Sequence, residues 1–312
     1  MYFLIANPSA KSGNHNQNLL HKLEYELKIH AISYKTFFSH SEKDIYNFVQ
    51  KVCQKYQNPT LVALGGDGTI NDVINSIPDL SQVRFAFLPV GSSNDLARGL
   101  KIPDIHKDKK QTQNIKNIVN GKVRRKLDVG QVKYDDTGDR RLFAISSGIG
   151  FDAAVCEDSQ HSHFKTFFNK INFGKLTYGA VALKKLATAP RTRAKIILDD
   201  KRVIKLKQLI MAAFMNTPYE GGGFKFAPDA KADSGKLNLA AMGDMNLLQI
   251  LPKMPGAYFG HYYHYKGVHH AIAKKIQIIL DKPLWVHTDG EVKRKSKSIT
   301  ITCLPQKLNL IM

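Results

Sequence analysis

Apolar residues in the first hundred positions fall into short runs. Each run ends in small or polar residues, and helical spacing follows. Tyr2 to Ala6 is the first run, Ile32 to Phe38 the second, Leu61 to Leu64 the third and Arg84 to Pro89 the fourth. Runs of this length, bounded by turn residues, read as buried parallel strands. After the first, Leu19, Leu20, Leu23 and Leu27 share one face of a helix; after the second, Ile45, Phe48, Val49 and Val52 do the same. Ile70 to Asn75 continues the third run at helical spacing, and the chain from Leu96 onward looks helical. The pattern places polar loops at strand C-terminal ends, where open α/β sheets bind ligands.

From Lys126 the pattern turns to alternation. Leu127 to Val132, Arg141 to Ile145, Ala194 to Leu198, Leu206 to Met215, Leu237 to Leu239, Lys275 to Leu280, Leu284 to His287 and Ser298 to Cys303 read as strands. A helical stretch at about Lys175 to Ala187 interrupts them. The expected fold class is therefore α/β with two domains: an N-terminal Rossmann-like α/β domain over 1–126 and a C-terminal β-sandwich over 127–304, with residues 305–312 returning to the first.

The third run leads into Gly65-Gly66-Asp67-Gly68-Thr69. Three glycines let the backbone turn sharply and approach a ligand closely. Strand, glycine loop and helix start together bind phosphate through free N–H groups and the helix dipole. A turn with no ligand is the alternative. Asp67 tips the balance: a carboxylate does not belong against bare phosphate, but it does belong there when Mg²⁺ bridges the two.

A formal charge of +20 directs the protein toward anionic partners: nucleotide, acidic membrane or nucleic acid. Residues 106–126 carry much of it, through Lys107, Lys109, Lys110, Lys116, Lys122, Arg124, Arg125 and Lys126. They form either a solvated helix and turn or a surface for acidic headgroups. No run of 18 apolar residues occurs, and the opening Met1 to Ala6 reads as a strand and not as a signal peptide. Three widely spaced cysteines fit a reducing compartment. The expected location is the cytoplasm, at the membrane periphery.

The residues then carry a resemblance. Gly65 to Asp72, the run Leu88-Pro89-Val90-Gly91-Ser92-Ser93-Asn94-Asp95-Leu96-Ala97, Gly148 to Asp152, Gly221-Gly222-Gly223 with Pro228-Asp229-Ala230, Gly235-Lys236-Leu237 and Asp289-Gly290-Glu291 stand in order along most of the chain. Together they resemble the diacylglycerol kinase catalytic-domain superfamily, in its group of bacterial soluble lipid kinases. The resemblance implies ATP and Mg²⁺ in a cleft between the domains. ATP would be held by Asn7, Lys11, Ser39, Gly65, Gly66, Asp67, Gly68, Thr69, Ser92 and Asn94. It implies Glu291 as general base, with Asp67 and Asp289 in the catalytic set. Asp95 and Asp128 would take part in holding Mg²⁺. A second-domain metal site would involve Lys231, Asp233, Ser234 and Lys236. There the family places an Asp before the glycine, and this chain has Ser234, a weaker Mg²⁺ ligand; on a strand the adjacent Asp233 would point the other way.

Other readings stand beside this one. Ser234 suggests a degenerate member that binds without turnover. Nicotinamide-nucleotide kinases share a Gly-Gly-Asp-Gly-Thr loop, but Asn94-Asp95 and Asp289-Gly290-Glu291 belong to the lipid-kinase pattern. No base-stacking motif supports a nucleic-acid partner. The lipid is not specified: diacylglycerol, phosphatidylglycerol, a sphingoid base and a monoacylglycerol all offer a primary hydroxyl. A homodimer remains open. His261 and His264, spaced i, i+3 among tyrosines, lack a third ligand, and the stretch 258–270 reads as an amphipathic helix near the lipid cleft.

Overall fold

The computed structural model describes residues 1–7, 13–102, 108–161 and 186–312. Four parallel strands, β1 (Tyr2–Ala6), β2 (Tyr34–Phe38), β3 (Thr60–Gly65) and β4 (Arg84–Pro89), stand in the order β2-β1-β3-β4. Alternation along them loads both faces. Phe3, Ile5, Leu61, Ala63, Phe85 and Phe87 pack against Ile45, Val49 and Val52 of α2 (Glu42–Lys55) and Ile70, Val73 and Ile74 of α3 (Asp67–Ser76). Tyr2, Leu4, Val62, Leu64, Ala86 and Leu88 face Leu19, Leu23 and Leu27 of α1 (Gly13–Ile29) and Ile115 and Ile118 of α5 (Asp108–Asn120), which follows the short α4 (Asp95–Gly99) in the chain. Strands buried on both sides need continuous apolar sequence, which is what these runs supply.

Two long strands cross from this half to the next. β5 (Val123–Tyr134) runs antiparallel to the C-terminal β13 (Glu291–Ile311). Near its end β13 also pairs with β4, Leu310 opposite Phe85. Leu127, Val129, Leu308 and Leu310 belong to the first core, whereas Val132, Tyr134, Ile299 and Ile301 belong to the second. The same two strands thus anchor both halves. The second half adds β6 (Arg140–Phe143), β7 (Ser146–Gly150), α6 (Phe151–His161), β8 (Thr192–Leu198), β9 (Arg202–Met215), β10 (Leu237–Gly243), β11 (Val268–Ala273) and β12 (Lys275–Thr288). The strand path continues from β13 as β12-β7-β9-β10-β11, with β8 pairing β12 and β9.

Several elements differ from the pattern-based expectation. α3 begins at Asp67 and not at Ile70, so Gly68 and Thr69 are already helical. Lys275 to Leu280 and Leu284 to His287 form one strand whose register shifts between Ile279 and Leu284, around Pro283, which has no N–H to give the ladder. Arg141 to Ile145 splits at Ala144, and β7 follows with a Ser-Ser-Gly-Ile-Gly sequence that shows no apolar alternation. The 258–270 stretch is not one helix. A helix over Met254–Phe259 stops at Gly260 (φ 84°), a 3-10 turn covers Tyr262–His264, and His269 and His270 lie on β11. The helix expected at Lys175 to Ala187 falls outside the described residues apart from its last two.

Candidate active site

The loops after β3 and β4 touch backbone to backbone. A Cβ on Gly91 would lie 2.5 Å from the Gly66 Cα, and one on Gly65 would lie 2.4 Å from the Thr69 Cβ. Glycine is therefore required for the approach of the two loops, independent of any ligand. Asn94 shapes the second loop: it takes the left-handed conformation (φ 49°), its Oδ1 accepts from Gly91 N (2.9 Å), and its Nδ2 donates to Gly91 O (3.0 Å).

Three carboxylates line the cleft above these loops. Asp67 accepts from the amides of Asp95 (2.9 Å) and Leu96 (3.3 Å), at the start of α4. Burial pushes its carboxyl up to about 7; the two amides oppose the rise, and the Asp95 and Asp289 carboxylates add to it. Asp95 accepts from Gly222 N (2.8 Å) and pairs with Arg98 (2.9 Å), and burial raises its carboxyl too. Asp289 is buried and accepts from the amides of Ala144, Ile145 and Ser146 and from Asn71 Nδ2, at 2.8 to 3.0 Å.

Asp289 (φ 50°) and Gly290 (φ 86°) form the two-residue turn between β12 and β13. Consecutive positive φ values are the requirement of a tight hairpin. The tripeptide is thus a hairpin turn, and it also delivers Glu291 to the cleft. The Glu291 carboxylate lies against Gly68, where a Cβ would come within 2.7 Å of Oε1. One helical turn on is Asp72, which closes the glycine-loop motif and to which the sequence assigns no role. Burial, with Glu291 and Glu42 adding repulsion, pushes its carboxyl up to about 7. Its signal was the spacing of four from Gly68, visible only once Gly68 is known to be helical.

Behind the turn sits a cluster of which Asp152 alone stands in a motif that the sequence singled out. The His287 ring is fully buried, with Nε2 3.3 Å from Asp152 Oδ2 and 3.2 Å from Glu220 Oε1, while Nδ1 accepts from Gly290 N at 3.2 Å. Burial raises the Glu220 carboxyl, and burial pushes the nearby Cys156 thiol up to about 11. A cavity of about 260 Å³ joins these groups to the phosphate-type loops, with Asp67, Gly68, Ser92, Asp95, Ser146, Glu220, His287 and Gly290 among its walls.

Residues 1–132 match the family described as the diacylglycerol kinase catalytic domain, and residues 145–312 match the YegS C-terminal NAD kinase beta sandwich-like domain. The chain belongs to the diacylglycerol kinase catalytic-domain superfamily. It is 27% identical over 295 residues to the Bacillus subtilis (strain 168) protein named "Putative lipid kinase YtlR", covering 93% of each chain. It is 26% identical over 283 residues to the same organism's "Diacylglycerol kinase", covering 89% of this chain and 84% of that one. A diacylglycerol kinase structure from Bacillus anthracis superposes with a TM-score of 0.73 at 22% identity, covering 99% and 96% of the two chains, which shows the shared fold.

Against that family frame, the residues expected at the nucleotide lie at neighbouring strand ends. Asn7 follows β1, and its amide donates to Leu64 O (3.2 Å). Ser39 follows β2, with its amide (2.9 Å) and hydroxyl (3.4 Å) on Ala6 O. Gly65 to Thr69 and Ser92 to Asn94 complete the row, and Lys11 lies outside the described residues.

The metal expectations divide. Asp67, Asp95 and Asp128 do not bring their oxygens within 4.8 Å of one another; among the described residues the group that meets that distance is Asp152, Glu220 and His287. The Asp128 carboxylate is buried and accepts from Gly235 N (2.6 Å) and Gln306 N (2.8 Å), so it holds the Lys231 to Lys236 loop against β13. Asp233 turns outward to Arg125 (2.7 Å). The Ser234 amide donates to Lys231 O (3.2 Å) and its hydroxyl to Lys236 O (3.1 Å).

Proposed function

We propose that the protein is an ATP-dependent lipid kinase that transfers the γ-phosphate to a lipid hydroxyl such as that of diacylglycerol, with Glu291 as the general base. The observation that carries this reading is the contact of Glu291 with Gly68. It sets a carboxylate on the first turn of the helix whose N-terminus is suited to the phosphates. Phosphoryl transfer to a hydroxyl needs positioning, charge neutralisation and a place for the proton. The glycine loop, Ser92 and the free amides of α3 supply positioning, and Glu291 accepts the proton as the hydroxyl attacks.

Mg²⁺ fits the donor set. Asp67 and Asp95 are both raised by burial, and Asp95 and Asp289 add repulsion at Asp67, so a dication beside them would relieve that repulsion. Asp67 and Asp95 are the residues that would hold the ion. When bound, the ion supplies neutralisation of charge on the transferred group.

The lipid lies in a bilayer, and no described helix is long and apolar enough to cross one. Docking would then depend on the basic surface, with each cation near an anionic membrane worth about 1 kcal/mol. The test of the function is a radiolabelled-ATP assay in mixed micelles against diacylglycerol, phosphatidylglycerol, a sphingoid base and a monoacylglycerol. The expected result is lipid-dependent phosphate transfer to one of them. Transfer to a nicotinamide nucleotide, or to none of the panel, would contradict it.

A further inference from the structure

His287 closes a ring of contacts around the cleft. Asp67 accepts from the Asp95 amide, and Asp95 accepts from the Gly222 amide. Glu220, in the same turn as Gly222, reaches His287 Nε2; His287 Nδ1 accepts from Gly290 N; and Glu291, next in sequence, lies on Gly68 beside Asp67. One imidazole therefore links the turn that presents Glu291 to the triple-glycine turn that Asp95 holds.

The backbone fixes the tautomer. Burial opposes a charged ring while Cys156, Glu220 and Asp152 pull its pKa well above the ordinary value; the Gly290 amide, which can only donate, decides against a proton on Nδ1, so Nδ1 offers its lone pair and the ring proton sits on Nε2, between Asp152 Oδ2 and Glu220 Oε1. That arrangement distinguishes the cluster from the metal site its composition suggests. A ligating Nε2 carries no proton and leaves Nδ1 as the donor, and an Nδ1–H would face the Gly290 N–H. With Nε2 as donor, one proton serves two carboxyls, and burial raises that of Glu220.

We propose that His287 is a positioning residue of the transfer site: Nδ1 fixes the Gly290 amide and so the placement of Glu291 on Gly68, and Nε2–H fixes Glu220 and so the turn that buttresses Asp95. The role rests on the reading of Glu291 as general base. Because the two ring nitrogens serve different partners, two substitutions separate them. Asn at 287 keeps an acceptor near the Nδ1 position and loses the reach to Glu220. Gln keeps a donor near the Nε2 position and loses the acceptor for Gly290.

His287→Asn should keep kcat within about 3-fold and raise the KM for ATP. His287→Gln should lower kcat by roughly 10-fold or more with the KM for ATP nearly unchanged, since a misplaced base costs rate and not ground-state binding. Equal loss of kcat in both variants, in step with loss of thermal stability, would reduce His287 to a packing residue and overturn the proposal while leaving the kinase reading intact. A wild type that phosphorylates no lipid of the panel would remove that reading and the role with it. The contact itself has a readout free of activity: the ¹⁵N-histidine NMR spectrum, with the His287 signals assigned by their absence in His287→Gln. The expected spectrum shows a protonated Nε2 and a bare Nδ1, unchanged by one equivalent of Zn²⁺. A protonated Nδ1, or a shift of both signals on adding Zn²⁺, would overturn the proposal in favour of a metal site.

Discussion

Gly68 on the first turn of α3 and Glu291 at the start of β13 meet: the carboxylate fills the space a side chain at 68 would need, 2.7 Å from an ideal Cβ. Gly68 is helical and has no positive φ, so alanine there carries no backbone strain. Gly68→Ala should therefore leave stability unchanged or raise it by about 0.5 to 1 kcal/mol, because Glu291 can swing aside. The same swing should lower kcat by about 10-fold or more. Chemical denaturation beside lipid-kinase kinetics checks the pair. A variant of unchanged activity would mean that the contact does not place the base.

That relationship also marks the limit of what the sequence discloses. The parallel strands and their glycine loops were legible because apolar runs and turn residues are local signals. Glu291 was assigned through Asp289-Gly290-Glu291, whose local meaning is only a hairpin. His287 and Glu220 were passed over, and Asp72 and Asp152 stood in motifs without a role, because their roles come from contacts of α3 with Glu291 and of β12 with α6 and the Glu220 turn, which no periodicity encodes. The extent of β12 and β13 was missed for a related reason. Pro283 and the polar residues near 291–297 interrupt alternation, yet pairing on both sides holds the strands together.

Asp72 predicts a pH dependence. Its carboxyl is raised to about 7 in the fold, above an unfolded value near 4, so the folded state binds its proton more tightly. The stability this contributes is complete below the unfolded value and is lost as pH rises toward about 7. Asp72→Asn should remove that loss. The variant should be more stable than wild type at pH 8 by on the order of 1 kcal/mol, and the difference should shrink toward pH 4. Urea titrations across that range without added Mg²⁺ measure it. A constant difference at all pH values would refute the assignment.

Ser234 tests the second-domain metal expectation. Its hydroxyl donates to Lys236 O, a bond a carboxylate cannot make. Ser234→Asp should thus lower thermal stability without Mg²⁺, by about 1 kcal/mol. Millimolar Mg²⁺ should restore it and raise the turnover rate, if the loop can take the ion. Stability that stays low at all Mg²⁺ concentrations would remove this loop as a metal site.

The basic surface predicts salt-dependent docking. Binding to vesicles should rise with anionic lipid content and fall as salt shortens the screening length from about 10 Å at 0.1 M. Equal co-sedimentation with neutral and anionic vesicles would exclude an electrostatic membrane surface.

Glu291→Gln tests the central claim most directly. The amide keeps the size of the carboxylate and its contact with Gly68, but it cannot accept the hydroxyl proton. On the lipid the wild type phosphorylates, kcat should fall by roughly 10²-fold or more, with ATP affinity by calorimetry nearly unchanged. Wild-type kcat in a folded Glu291→Gln protein, or loss of ATP binding in place of loss of rate, would contradict the assignment of Glu291 as the base.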